Sequence, residues 1–503
     1  MARRALVTLF AAMVTGVVAG PLGPLTTSGP TASAATQLAE PYDFDGDGRQ
    51  DLVAGAPGLK VGSMGWEAGG VVVLPTSEDG LVPEARLLTQ ALPELGDYVI
   101  EGGRFGSGLT SADFDRDGYA DLVAWTPVAL GAATSTSVLS IVPGSPSGLD
   151  LSRLSSRGNP DPDDDLLGLR STVATGDFTG DGYPDLAVGT QNDYVPVAGD
   201  RGASGTVLVF SGGSGGLSRN PVRTLHRQGL GGGHQDWDSG FGATLGAGDL
   251  NGDGVTDLVV GSSGANDQHA VYPGSVSVCP GAVGGPAGCT RLAHSLDYVD
   301  AAALAVGHVT GSSRPEVVVA LPRPAAGAPG SVRILGLKPT GPLALDRTLV
   351  LTQASRGVPG VDEPDDAFGS ALALADLDRD GRTDLVVGAP GENDGKGRVT
   401  IVHGAGAGWR TRGNLTLDQH TRGVPGTAQR GDAFGSALAL LDHDGDGRLD
   451  LDVGVPGEDG TGLVVALRGK GKGFTTKKAK TFTLGALGVP EPERAGFGAV
   501  LGG

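Results

Sequence analysis

Short apolar runs rich in β-branched residues recur along this chain, each bounded by Gly, Pro or Asp. One set reads "DLVAGAP" from Asp51, "DLVAWTP" from Asp121, "DLAVGT" from Asp185, "DLVVGSS" from Asp257, "DLVVGAP" from Asp384 and "DLDVGVP" from Asp450. Each is followed by a second run, such as "GGVVVLP" or "GRVTIVHG", and by a third, such as "RLLTQ" or "RTLVLTQ". Ahead of the first set lies a fourth stretch that opens on Phe-Gly at Phe105, Phe241, Phe368 and Phe434. The runs are too short for helices, and none carries apolar residues at a helical period, so the pattern predicts four strands per unit and an all-β chain.

The units are set by an acidic nonapeptide, "DFDGDGRQD" from Asp43, which returns from Asp113, Asp177, Asp249, Asp376 and Asp442. The steps are 70, 64, 72, 127 and 66 residues, and the long one hides a decayed unit in which His308, Thr310, Ser312 and Glu316 hold the corresponding positions. Seven units of four strands predict a seven-bladed β-propeller, whose radial closure protects sheet edges. The first unit lacks a Phe-Gly stretch, while the chain ends "AGFGAVLGG". The C-terminal run Phe497–Leu501 is therefore expected to supply the innermost strand of blade one and close the ring.

Several carboxylates packed into nine residues repel one another and are stable only around a cation. Oxygen ligands at alternate positions, Gly at the sixth and a final carboxylate describe a calcium loop, about six in all. The ligand sets at positions one, three, five, seven (main-chain carbonyl) and nine are Asp43, Asp45, Asp47, Arg49 and Asp51; Asp113, Asp115, Asp117, Tyr119 and Asp121; Asp177, Thr179, Asp181, Tyr183 and Asp185; Asp249, Asn251, Asp253, Val255 and Asp257; Asp376, Asp378, Asp380, Arg382 and Asp384; and Asp442, Asp444, Asp446, Arg448 and Asp450. An EF-hand is excluded by the strands on either side and by Ala or Val where its twelfth-position Glu would stand. Solvated acidic turns without metal are the bland alternative. Thr179 should weaken the third site, and the decayed loop should hold no ion.

Composition sharpens this picture. The formal charge of −20 argues against nucleic acid and anionic membranes as partners, since both demand clustered Lys and Arg. The loops contribute much of it, and six divalent cations would return twelve charges. Residues 1–34 carry Arg3 and Arg4, an interrupted apolar run and a small-residue site near Ala34, the pattern of a secretory signal peptide. A membrane anchor is the competing reading, weakened by Gly16, Gly20, Pro21 and Pro24. Residues 35–503 then form a single secreted propeller domain, expected to be monomeric and not membrane-spanning. Cys279 and Cys289, the chain's two cysteines, could close a local disulfide or remain buried thiols.

With these residues on the page, the chain resembles the FG-GAP repeat family, known from the seven-bladed propellers of integrin α subunits. The resemblance rests on Phe368-Gly369, Gly388-Ala389-Pro390 and the acidic loop between them, repeated in register across the chain. It implies calcium loops joining the first and second strands on the lower face, and partner binding on the opposite face. Departures are the decayed fifth unit and Leu169-Arg170 in place of Phe-Gly in the third.

A ligand face would draw on loops carrying Trp66, Tyr98, Tyr194, His234 and Trp237, and on Arg356 and Arg422 in "SRGVPG" and "TRGVPG". Such aromatics could equally cap blade packing. Arg430-Gly431-Asp432 belongs to the repeat, and "GGSGG" around Ser214 reads as a turn and not a nucleophile elbow. Two functions remain open: a non-catalytic scaffold binding an extracellular protein or glycan, and an extracellular carbohydrate- or lipid-active enzyme using His226, His234 and Asp236. The first is preferred because enzymes with these repeats are expected to carry a further catalytic domain, for which this chain leaves no room.

Overall fold

A computed structural model describes residues 38–503 apart from 63–66, 96–101, 127–137, 159–170, 196–202, 227–239, 264, 267–270, 273, 297–302, 324–327, 407 and 490–493. Residues 1–34, Trp66, Tyr98, His234, Asp236 and Trp237 thus lie outside the described residues. The described chain is nearly all β, in seven four-stranded antiparallel blades arranged as a ring. Blade six shows the pattern: Ala371–Ala375 innermost, then Asp384–Ala389, Arg398–Val402 and the outer strand Leu415–Leu417.

Second strands such as Leu52–Ala56, Asp257–Ser262 and Asp384–Ala389 are buried at every position. Both their faces meet a neighbouring blade, which is why their sequences are continuous apolar runs without alternation. The core is accordingly divided into wedges between adjacent blades. One joins Phe114, Trp125 and Ile141 of blade two to Val188 and Phe210 of blade three. Another joins Val318 and Ile334 of blade five to Phe368, Leu385 and Val387 of blade six.

The Phe-Gly and Gly-Ala-Pro landmarks meet across these wedges. The Phe ring of each described pair is buried, and Phe434 N–H donates to the Lys396 carbonyl of the preceding blade at 3.0 Å. The Gly of the second strand lies against the carbonyl of the next blade's Phe-Gly glycine. A Cβ on Gly388 would sit 2.1 Å from Gly435 O, and one on Gly189 would sit 2.1 Å from Gly242 O. Trp125 takes that glycine's place in blade two, and the blade that follows is the one with Leu169-Arg170 instead of Phe-Gly.

Ring closure uses both ends of the chain, with one correction to the expected span. Phe497 bridges Gly462 of blade seven, and the strand itself is Val500–Gly502, paired antiparallel with Leu52–Ala56 of blade one. The Phe-Gly pair docks on the preceding blade before the chain crosses, as it does elsewhere. Tyr194 also differs from expectation. Residues 190–204 read as a loop, but the second strand of blade three runs to Val195 and the third begins at Ala203, with Ser204 opposite Tyr194. Past the bulge at Gly205, the hairpin arms resume pairing and extend beyond the blade.

Cys279 and Cys289 form a disulfide linking the third and fourth strands of blade four, with Cα atoms 3.9 Å apart. Asp432 is 2 % exposed and accepts from Gln429 N–H, so the Arg430-Gly431-Asp432 tripeptide is not presented to a partner. Ser214 bridges Gly216 in a turn after the strand Ala203–Phe210.

Candidate metal centres

The acidic loops lead into the second strand of six blades, joining it to the first in five; in blade one the first strand comes from the C-terminal run, and one hydrogen-bond pattern shapes all six loops. The first Asp accepts from the main-chain N–H groups of positions five and six: Asp43 from Asp47 and Gly48 (both 3.0 Å), and Asp376 from Asp380 (3.0 Å) and Gly381 (2.8 Å). The fifth Asp accepts from position seven, as Arg49 N–H donates to Asp47 Oδ1 at 2.9 Å. Asp113, Asp177, Asp249 and Asp442 repeat the arrangement. The sixth glycine is left-handed in each, for example Gly48 at φ 83° and Gly118 at φ 93°, a conformation in which a side chain would be strained.

Carboxylate oxygens lie within 4.8 Å of one another in four loops: Asp43, Asp45 and Asp47; Asp113, Asp115 and Asp117; Asp376, Asp378 and Asp384; and Asp442, Asp444 and Asp446. Among the described residues, the loops from Asp177 and Asp249, each with one carboxylate fewer, form no such group. In the latter, the Asn251 amide donates to Asp253 at 2.8 Å.

The third position provides the test of fit. Asp115 Oδ1, Asp378 Oδ1 and Asp444 Oδ1 are buried without a hydrogen-bond partner, as is Thr179 Oγ1 at the same position. In the three aspartates the other oxygen is held by an arginine of the same blade: Arg153 at 3.5 Å, Arg410 at 2.5 Å and Arg468 at 2.9 Å. A buried, unpartnered carboxylate oxygen is costly unless something supplies positive charge. A hard divalent cation inside the loop satisfies that requirement, so these residues fit one.

The ninth carboxylate does more than the sequence indicates. Asp121 Oδ1 accepts from Gly144 N–H at 3.0 Å and Oδ2 from Phe114 N–H at 3.3 Å, tying the loop to the end of the third strand. Asp185, Asp257 and Asp384 make the same two kinds of bond. Burial, with repulsion from the loop's other carboxylates, raises Asp51, Asp121 and Asp450 to about 7. Asp378 goes the other way: burial acts to raise it, but Arg410 prevails and its pKa is lowered.

The decayed loop replaces a cation with donors. Glu316 is fully buried; it accepts from the Thr310 hydroxyl and from Ser312 Oγ at 2.7 Å, with the Arg347 guanidinium 3.6 Å away. Positive charge and hydroxyl donors are thus already in place around its one carboxylate.

The loops are also chained around the ring. Ala120 N–H donates to Asp43 O, Thr256 to Asp177 O, Thr383 to His308 O and Gln50 to Asp442 O, at 2.9 to 3.1 Å. Proline at the same place, Pro184 and Pro315, interrupts two other junctions because it has no N–H.

Among the ligand-face candidates, Arg356 and Arg422 have described side chains. Arg356 and Arg422 are exposed at equivalent places, each on a segment beside the following blade's outer hairpin: Trp409 Nε1 donates to Arg356 O at 3.3 Å and Thr476 Oγ1 to Arg422 O at 2.9 Å. His226 Nδ1 is buried without a partner, and burial lowers its pKa.

Seven radial blades and repeated acidic loops leading into their second strands define the class: an integrin-like FG-GAP β-propeller. The FG-GAP repeat matches this chain at residues 41–74, 170–210, 241–279 and 368–402. The chain is 46% identical over 93 residues to phosphatidylinositol-glycan-specific phospholipase D of Rattus norvegicus, covering 18% of this chain and 11% of the relative. It is 28% identical over 416 residues to the Bos taurus protein of the same name, covering 72% and 45%. Integrin alpha-7 of Homo sapiens is 29% identical over 270 residues, covering 49% and 20%. The chain therefore spans less than half the length of these relatives.

Proposed function

We propose that the protein is a secreted, calcium-stabilised propeller that binds an extracellular protein or glycan without catalysing a reaction. The observation that carries the calcium reading is the repeated third-position carboxylate oxygen, buried and unpartnered in loops where three carboxylates converge within 4.8 Å. Calcium supplies the positive charge these clustered carboxylates require and takes a flexible set of oxygen ligands. The carboxylates of positions one, three, five and nine would hold it with the main-chain carbonyl of position seven, and the ninth also braces the loop against the end of the third strand. Similarity to integrin alpha-7 supports a binding role. Secretion follows from the leader-like pattern of residues 1–34, and that no described helix is long and apolar enough to cross a membrane is compatible with it.

The test is a binding screen of purified protein against extracellular proteins and glycans, with calcium and with a chelator. Calcium-dependent retention of one class supports the reading; a fold and a binding profile indifferent to chelation would remove calcium from it. Similarity to phosphatidylinositol-glycan-specific phospholipase D supports a second reading, an extracellular lipid- or carbohydrate-active enzyme. Turnover of a phospholipid or polysaccharide by the purified chain, lost on His226→Ala, would favour it.

A further inference from the structure

We infer that the outer hairpin of blade seven is a docking surface for a linear anionic polysaccharide, an inference that rests on the binding-scaffold reading above and names the partner's chemistry. Five of the chain's eight lysines, Lys470, Lys472, Lys477, Lys478 and Lys480, fall within eleven residues. With Arg468 they give residues 463–483 six positive charges and no acid, in a chain whose formal charge is −20.

The fold does not require this concentration. Lysine on an edge strand discourages edge-to-edge pairing, and one basic residue suffices elsewhere in the same molecule. Five other outer strands carry a single arginine, among them Arg86, Arg223 and Arg347, and Leu415–Leu417 carries no basic residue. Those strands are 3 to 7 residues long, whereas Gly473–Thr483 has 11.

The added length forms a basic bulge. Pairing jumps from Ala466 opposite Lys480 to Arg468 opposite Thr475, so residues 476–479 face one residue of the neighbouring strand and Lys478 takes a left-handed φ of 67°. Lys477 and Lys478 are exposed there, and Lys470 and Lys472 are exposed at the hairpin's tip. Arg448 donates to Gly471 O at 3.3 Å and the exposed Arg422 lies beside Thr476, so both extend the positive surface. Lys480 is different: it donates to Leu81 O at 2.7 Å and to Asp79 O at 3.2 Å, joining blade seven to blade one. Lys472 Nζ lies 3.5 Å from Asp378 while its side chain stays exposed.

The form of the patch selects the partner. Phe474 packs against the blade core and Phe482 is 5 % exposed, which leaves the hairpin no large apolar side chain to enter a bilayer. It has no exposed aromatic on which a nucleic-acid base could stack. Basic side chains spread along a strand match instead the carboxylate or sulfate groups spaced along a polysaccharide, and the contact should weaken with salt.

The experiment uses the full chain in calcium, with immobilised dextran sulfate, hyaluronate and neutral dextran, phosphatidylglycerol vesicles and duplex DNA. The variants are Lys470→Gln/Lys477→Gln/Lys478→Gln and, as a control of equal charge, Lys60→Gln/Lys338→Gln/Lys396→Gln; circular dichroism verifies their folding. The expected result is salt-sensitive binding to an anionic polysaccharide, weakened about tenfold or more in the hairpin variant and little changed in the control. Unchanged binding by the hairpin variant would overturn the inference, and so would tighter binding to vesicles or DNA than to either polysaccharide. Retention of the wild type on a neutral glycan or a protein, with no response to anionic chains, would overturn it too while leaving the scaffold reading intact.

Discussion

Leu501, two residues from the C-terminus, sits opposite Ala54 in the innermost pairing of blade one. The C-terminal run and the first unit are thereby joined in one sheet, and Gln50 adds a second fastening, to blade seven on the loop face, by accepting from Asp442 N–H at 2.9 Å. Deleting residues 497–503 should remove the inner strand of blade one, expose the wedge containing Phe497 and lower the melting temperature markedly. A deletion variant melting with the parent would show that the ring does not depend on this strand.

Calcium should stabilise the protein by mass action, by about 1.4 kcal/mol per site at ten times its dissociation constant. Chelation should therefore lower the melting temperature, and more so at higher pH. Asp51, Asp121 and Asp450 have folded-state values raised to about 7 by burial, against an unfolded carboxylate near 4. In the ion-free protein the folded state binds more protons, so stability is greatest below the unfolded value and falls as pH rises from about 4 to 7. Thermal melts at pH 5 and pH 8 in chelator should diverge, and calcium should narrow the gap.

His443 and Asp452 replace an apolar pair. Position two of the other acidic loops is Phe or Leu, and the equivalent second-strand residue is Val or Ala, yet here His443 Nε2 lies 2.7 Å from Asp452 Oδ2, with both side chains buried. Burial opposes the charge on His443, but Asp452 and the Gln50 carbonyl outweigh it and raise its pKa to about 9. This contribution is complete below the unfolded value near 6.5 and is lost as pH rises through about 9. Either single change, His443→Phe or Asp452→Val, should cost about 3–5 kcal/mol by stranding its partner, and the double variant should recover most of it. Denaturant melts of the four proteins measure the coupling.

Gly388→Ala should test the meeting of the two landmarks, since its Cβ would lie 2.1 Å from the Gly435 carbonyl across the blade interface. Overpacking of this kind costs about 1–3 kcal/mol. Gly213→Ala is the matched control, because a Cβ there meets no atom within 4 Å. Equal melting temperatures for the two variants would refute the steric account of the motif.

The strands, the seven units, the decayed fifth loop and the closure from the C-terminus were all legible in the sequence. Each is a local pattern: a buried strand needs a short apolar run, a tight acidic turn needs glycine at its sixth position, and repetition amplifies both. What only the tertiary structure decided lies between repeats. The docking of each Phe-Gly on the preceding blade, the arginines holding Asp115, Asp378 and Asp444 by one oxygen, and the His443–Asp452 exchange all depend on which surfaces the ring brings together. The extent of the hairpin around Tyr194 was misread because turn-forming residues there do not reveal that pairing resumes beyond a bulge. Spacing along a chain specifies what a residue's own strand or turn requires; contact across blades is set by the closure of the whole ring.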